Sequence, residues 1–268
     1  MVASEIVDAL LARSRAGDGG FGSVPGAESE PESTALAAIA LADDNAVDWL
    51  LRAQRADGSF GIDAGGVSSD DTALTCLALP DGPALQHALD HVESTSGANA
   101  VGEPGPPPYG WSWTIGAHGW TEPTAWGVLA LRQRRPTATS RIDDGLAALR
   151  ARACVGGGWN YGTPESFDVE QPPFVQTTAI ALLATMGIDD PLTASGHRML
   201  HDRWRDEDAG FLSLATAAAA LRVLADPDAD EAAALVEQRA SATPELGTIA
   251  LAWASIALGE GLRALDAS

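Results

Sequence analysis

Apolar residues along the chain fall into two alternating patterns. In the first, a Thr-Ala pair opens an alanine-rich apolar run of about ten residues with little polar face, which predicts a buried helix. It occurs as Glu32-Ser-Thr-Ala-Leu, Asp70-Asp-Thr-Ala-Leu, Glu122-Pro-Thr-Ala-Trp and Gln176-Thr-Thr-Ala-Ile, with weaker copies at Thr216-Ala217 and Thr248-Ile249-Ala250. The repeat threonines stand at 34, 72, 124, 178, 216 and 248. Between the copies, segments 4–14, 45–54, 83–93, 138–153, 191–205 and 229–240 carry helical periodicity with one polar face. Asp143, Asp144, Arg150 and Arg152, set against Leu146, Ala148 and Leu149, show the mixed character of an outer helix.

Six buried helices therefore alternate with six amphipathic ones. An open solenoid of such units needs polar end caps, and the sequence offers none. A closed ring hides all six apolar helices and exposes their partners. The expected fold is all-α, an (α/α)6 toroid of six outer and six inner helices, built as a single domain over residues 1–268. Gly-aromatic segments precede five of the six buried runs: Gly17 to Gly22, Gln54 to Gly61, Gly110 to Trp113, Gly156 to Gly162 and Asp208 to Phe211. Glycine permits a tight turn there, and the ring can wedge beneath the next helix. The sixth copy, from Ser241 to Gly247, lacks the aromatic.

Composition narrows the class. The 268 residues are 46% hydrophobic and 20% charged, which describes a globular chain. A net charge of −21 leaves no basic face for nucleic acid. All sixteen basic residues are arginine, since lysine is absent. An acidic surplus without lysine suits a protein kept soluble in concentrated salt, where the Debye length falls to about 3 Å and self-repulsion is screened. An acidic protein from a GC-rich organism is the alternative. No apolar run reaches a membrane span, and the first residues do not read as a secretory leader, so the expected location is the cytoplasm. Cys76 and Cys154 form neither a disulfide framework nor a four-ligand zinc site. Two His-x3-His pairs, His87 with His91 and His197 with His201, fall on outer helices without the glutamate of a metalloprotease motif and read as solvated. Neither a metal nor a cofactor is expected.

The candidate chemistry lies at the starts of the buried runs. Glu32, Asp70 and Glu122 stand two places before successive repeat threonines, and Gln176 takes the fourth place. A shared rim would bring these acids close enough to raise a pKa and hold a proton for donation. Helix capping explains the same positions, and Ser68-x-x-Asp71 fits a capping box. Trp111, Trp113, Trp120, Trp126 and Trp159 are concentrated in one region, with Tyr161 and His118 beside them. Such rings suit an isoprenoid chain or a carbocation, and core packing is the competing explanation. Long Gly- and Pro-rich connections at 94–120 and 154–174 mark the expected entrance.

At these residues the chain resembles the prenyltransferase and squalene-cyclase repeat family. Gln54-x-x-Asp57-Gly58-Ser59-Phe60 is similar to its glutamine-to-aromatic repeat, with Phe60 where tryptophan is usual, and Glu122-Pro-Thr-Ala-Trp is similar to the start of an inner helix. The resemblance implies the toroid and, from the cyclase branch, an Asp-x-Asp-Asp-Thr-Ala acid motif. Here the run is Ser68-Ser69-Asp70-Asp71-Thr72-Ala73, so Asp70 matches the proton donor, Asp71 its neighbour, and the first aspartate is missing. Zinc-dependent protein prenylation is rejected, because neither cysteine has the required setting. The expected function is an isoprenoid-binding toroid or proton-initiated cyclase. A non-catalytic scaffold, working with a second helical subunit or domain, and a carbohydrate-active (α/α)6 barrel are the alternatives. The scaffold predicts a cavity plugged by side chains.

Overall fold

The computed structural model describes residues 3–63, 66–97, 110–114, 117–206, 210–243 and 245–266. Among them the chain is all-α apart from two short hairpins. Six helices follow the apolar runs: α2 (Pro31–Leu41), α4 (Ser69–Ala78), α6 (Thr121–Arg134), α8 (Val175–Thr185), α10 (Gly210–Val223) and α12 (Thr248–Leu258). Six follow the amphipathic segments: α1 (Ala3–Leu11), α3 (Asp44–Ala53), α5 (Pro83–Ser94), α7 (Thr139–Ala151), α9 (Pro191–Arg203) and α11 (Ala229–Ala242). The hairpins, which helical periodicity does not reveal, are β1 (Phe60–Asp63) with β2 (Gly66–Ser68), and β3 (Glu165–Ser166) with β4 (Val169–Glu170), both antiparallel.

The even-numbered helices supply most of the core. Ala35 to Ile39, Ala125 to Leu131, Ala179 to Ala184 and Ala215 to Leu221 are buried without a break. Their contacts run in a cycle: α2 packs on α4, α4 on α6, α6 on α8, α8 on α10, α10 on α12, and α12 back on α2. Each odd-numbered helix packs against even-numbered neighbours. Alanine lets neighbouring apolar helices approach closely, and removing this surface from water is the main stabilising contribution.

One hydrogen-bond device recurs at the repeat threonines. The Oγ1 of Thr34, Thr72, Thr124 and Thr178 accepts from the backbone N–H of Phe21, Phe60, Trp111 and Trp159 in turn. Each of these hydroxyls also lies within hydrogen-bond distance of the same aromatic residue's carbonyl. Each Gly-aromatic turn is thereby fastened to the even-numbered helix that follows it. The sixth copy has no aromatic turn of its own and uses the first. Thr248 donates its hydroxyl to the Gly22 carbonyl and its backbone N–H to the Ser23 carbonyl. Ser255 on α12 donates to Asp8 on α1, adding a second tie between the two ends of the sequence.

The aromatic wedges need small neighbours. A Cβ on Gly127 of α6 or Gly145 of α7 would strike Trp111, and one on Gly196 of α9 would strike Trp159. Both indoles are enclosed and still satisfied: Trp111 Nε1 donates to the Val92 carbonyl at 2.8 Å and Trp159 Nε1 to the Leu149 carbonyl at 2.8 Å. In the glutamine-to-aromatic segment, Gln54 Nε2 donates to the carbonyls of Gly58 (3.1 Å) and Ala84 (2.8 Å), fixing the turn after α3 to the start of α5.

Candidate functional site

The even-numbered helices present their N-terminal turns together with the aromatic residues that precede them. Glu30, Trp120 and Phe174 are the N-caps of α2, α6 and α8. Their backbone N–H groups donate to the carbonyls of Phe21, Trp111 and Trp159 respectively. None of the three makes a side-chain capping bond. Glu32 and Glu122 sit in the first turn, in equivalent positions of α2 and α6, and are mostly buried. Gln176 holds the same position on α8 and is also partly buried. Asp71 on α4 is buried, and its carbonyl accepts from Thr75 Oγ1. Asp70 belongs to the first turn of α4, but its side chain lies outside the described residues.

Burial removes water from these carboxylates, and their mutual repulsion adds to the cost of ionising them. Desolvation, then the Asp71 and Glu30 charges, push Glu32 from 4.5 up to about 7. Desolvation, then the Glu32 charge, push Glu122 from 4.5 up to about 7, against a Trp126 hydrogen bond that favours its ionised form. Two glutamates on different helices, one of them feeling the charge of the other, are thus shifted toward holding protons near neutral pH. Helix N-termini ordinarily stabilise anions; here desolvation outweighs that effect.

The aromatic residues divide into three settings. Trp111 and Trp159 are the wedges described above, packed between an even-numbered and an odd-numbered helix and away from solvent. Trp113, His118 and Trp120 cluster at the start of α6, with ring centroids 5.1 Å apart for Trp113–Trp120 and 5.2 Å for His118–Trp120. Trp120 also lines a cleft of about 270 Å³ together with Asn160, Tyr161 and Phe174, the last two rings lying 5.0 Å apart. Because Trp120 and Phe174 cap α6 and α8, this cleft opens at the helix ends that carry Glu122 and Gln176. The β3–β4 hairpin borders it through Ser166 and exposes Phe167 almost completely, at 98%.

Trp126 stands apart from its sequence neighbours. Its ring stacks on Trp253 of α12 at 5.9 Å, and the two are 3% and 2% exposed. In the contact cycle α6 and α12 are three steps apart in either direction, so this pair joins opposite members. Trp253 and Phe174 were not among the residues singled out by sequence. A tryptophan within a buried apolar run, at Thr248 plus five, was the available signal for the first.

Of the histidine pairs, His87 is exposed as expected, while the other three depart from the solvated reading. His91 is buried on α5, 4.0 Å from Asp57. His197 and His201 converge on Asp226 at 2.7 Å and 3.1 Å. Periodicity placed them on a helix, as the structure has it, but gave no view of the α10–α11 turn that supplies the carboxylate. Among the described residues no helix is long and apolar enough to cross a membrane.

No protein-family model and no curated protein matches the chain. Among solved structures it is similar to a crystal structure of a protein from Actinoplanes, with a TM-score of 0.57 and 19% sequence identity, covering 88% of this chain and 79% of that one. At that identity the likeness concerns the fold.

Proposed function

We propose that the chain is an α/α toroid akin to the terpenoid cyclases, and that it holds an isoprenoid-class ligand at the N-terminal end of its inner helices. The cyclic order of contacts among α2, α4, α6, α8, α10 and α12 supports the ring. The Gln54 turn supports the kinship, since it links successive outer helices through backbone carbonyls. The observation that carries the functional reading is the pair Glu32 and Glu122, both raised to about 7 at an end flanked by Trp113, Trp120, Tyr161 and Phe174. A desolvated carboxylic acid beside aromatic faces is suited to give its proton to an alkene and to tolerate the cation that forms. The O–H bond breaks as a C–H bond forms. The carboxylate then recovers a proton from an adjacent carbon, so the net change is an isomerisation. Asp70 remains the donor that the family resemblance implies, and Glu122 is the donor that the described side chains favour.

The Trp126–Trp253 stack supports a second reading, a non-catalytic scaffold, because it fills the interior between opposite inner helices. Incubation with polyprenyl substrates in molar salt separates the two. The ligand reading predicts binding by the wild type that weakens at least tenfold in Trp120→Ala, with any product lost in Glu122→Gln or Asp70→Asn. Absence of binding across a polyprenyl length series refutes it and leaves the scaffold.

A further inference from the structure

We propose that His201, Asp226 and Asp228, with His197 against the same Asp226 carboxylate, form a binding site for one divalent transition-metal ion of the zinc class, clipping α9 to the turn between α10 and α11. His197 and His201 are one helical turn apart on α9, so both imidazoles face the same way. His197 Nε2 lies 2.7 Å from Asp226 Oδ2, His201 Nδ1 lies 3.1 Å from Asp226 Oδ1, and His201 Nδ1 lies 3.5 Å from Asp228 Oδ2. One ligand atom from each of His201, Asp226 and Asp228 falls within 4.8 Å of the others. Donor atoms about 2.0–2.1 Å from a tetrahedral zinc stand about 3.3 Å from one another, close to the separations of His201 from Asp226 and Asp228.

Both carboxylates are held in place by further hydrogen bonds. Asp226, whose side chain is only 2% exposed, accepts at Oδ1 from the Asp228 backbone N–H at 2.9 Å. Asp228 accepts at Oδ2, the oxygen that faces His201, from Trp204 Nε1 at 3.2 Å and from Arg205 Nη1 at 2.8 Å. Such outer partners orient ligands in metal sites. Arg205 offsets the Asp228 charge. The imidazoles are 34% and 40% exposed, so an ion can reach them from solution. Nitrogen and oxygen donors together favour zinc-class ions over magnesium or calcium.

The test is equilibrium dialysis of untagged full-length protein against zinc chloride, with metal counted by mass spectrometry and thermal unfolding followed in parallel. Wild type retains one zinc and gains thermal stability from it. His87→Ala, in the other His-x3-His pair, does the same. His201→Ala, partly exposed and expected to fold, loses the bound zinc and the stability gain, as does Asp226→Asn. Zinc retention by His201→Ala equal to that of the wild type, or no retention by the wild type, overturns the proposal.

Discussion

Trp126 and Trp253 offer the sharpest perturbation of the fold. They are 3% and 2% exposed, their rings lie 5.9 Å apart, and they belong to α6 and α12. Truncating one fully buried tryptophan to alanine removes its transfer free energy and leaves a cavity, a combined cost of about 3–5 kcal/mol. The aromatic pair adds about 0.5–1.5 kcal/mol beyond burial. Trp253→Ala is therefore expected to lose about 3–5 kcal/mol in urea unfolding carried out in molar KCl. The double variant with Trp126→Ala should lose less than the sum of the singles, because the second truncation removes a ring already without its partner. Non-contacting sites add to within about 0.5 kcal/mol. Strict additivity, or a single-variant loss under about 1 kcal/mol, would refute the contact between α6 and α12.

Glu122→Gln tests the protonated carboxyls through pH. A folded-state pKa of about 7 against 4.5 for the free group means the native state binds more protons across that window. The Glu122 contribution to stability is then present below pH 4.5 and declines as pH rises to about 7. At 1.36 kcal/mol for each pH unit the loss amounts to about 3 kcal/mol. Relative to wild type, Glu122→Gln should gain stability toward pH 8 and show little difference at pH 4; a pH-independent difference rejects the assignment. Thr178→Val should cost about 1–3 kcal/mol in chemical unfolding, because the buried Trp159 N–H loses its acceptor. Thr216→Val should cost less than Thr178→Val, since among the described residues the Thr216 hydroxyl bonds within its own helix, to the Leu212 carbonyl. Thermal unfolding should move to lower temperature as KCl is withdrawn, because a net charge of −21 is then less screened; a midpoint unchanged by salt contradicts a halophilic surface.

Helix positions were legible in the sequence because each kind of helix repeats its own signal. The amphipathic segment 83–93 became α5 (Pro83–Ser94), and the apolar run at Thr178 became α8 (Val175–Thr185). The hairpins were not legible: β3 and β4 span two residues each, too short for alternation to register. The acids posed a different problem. Position alone allowed both capping and a desolvated site, and burial together with the approach of Glu32 to Glu122 from separate helices is a tertiary property. The tryptophans illustrate the same limit. Crowding between Trp111 and Trp159 suggested one pocket, yet Gly127, Gly145 and Gly196 admit Trp111 and Trp159 as wedges, while Trp120 joins the cleft and Trp126 turns toward Trp253. His197 and His201 gained their significance only from Asp226, which is remote in sequence.

Carboxyl-resolved NMR of protein labelled with carbon-13 at the glutamate side chains measures the central property directly. Two resonances, assigned by their disappearance in Glu32→Gln and Glu122→Gln, should titrate near pH 7. If every glutamate carboxyl loses its proton in the ordinary acidic range, the inner-helix ends carry no proton to give, and the account of the site fails.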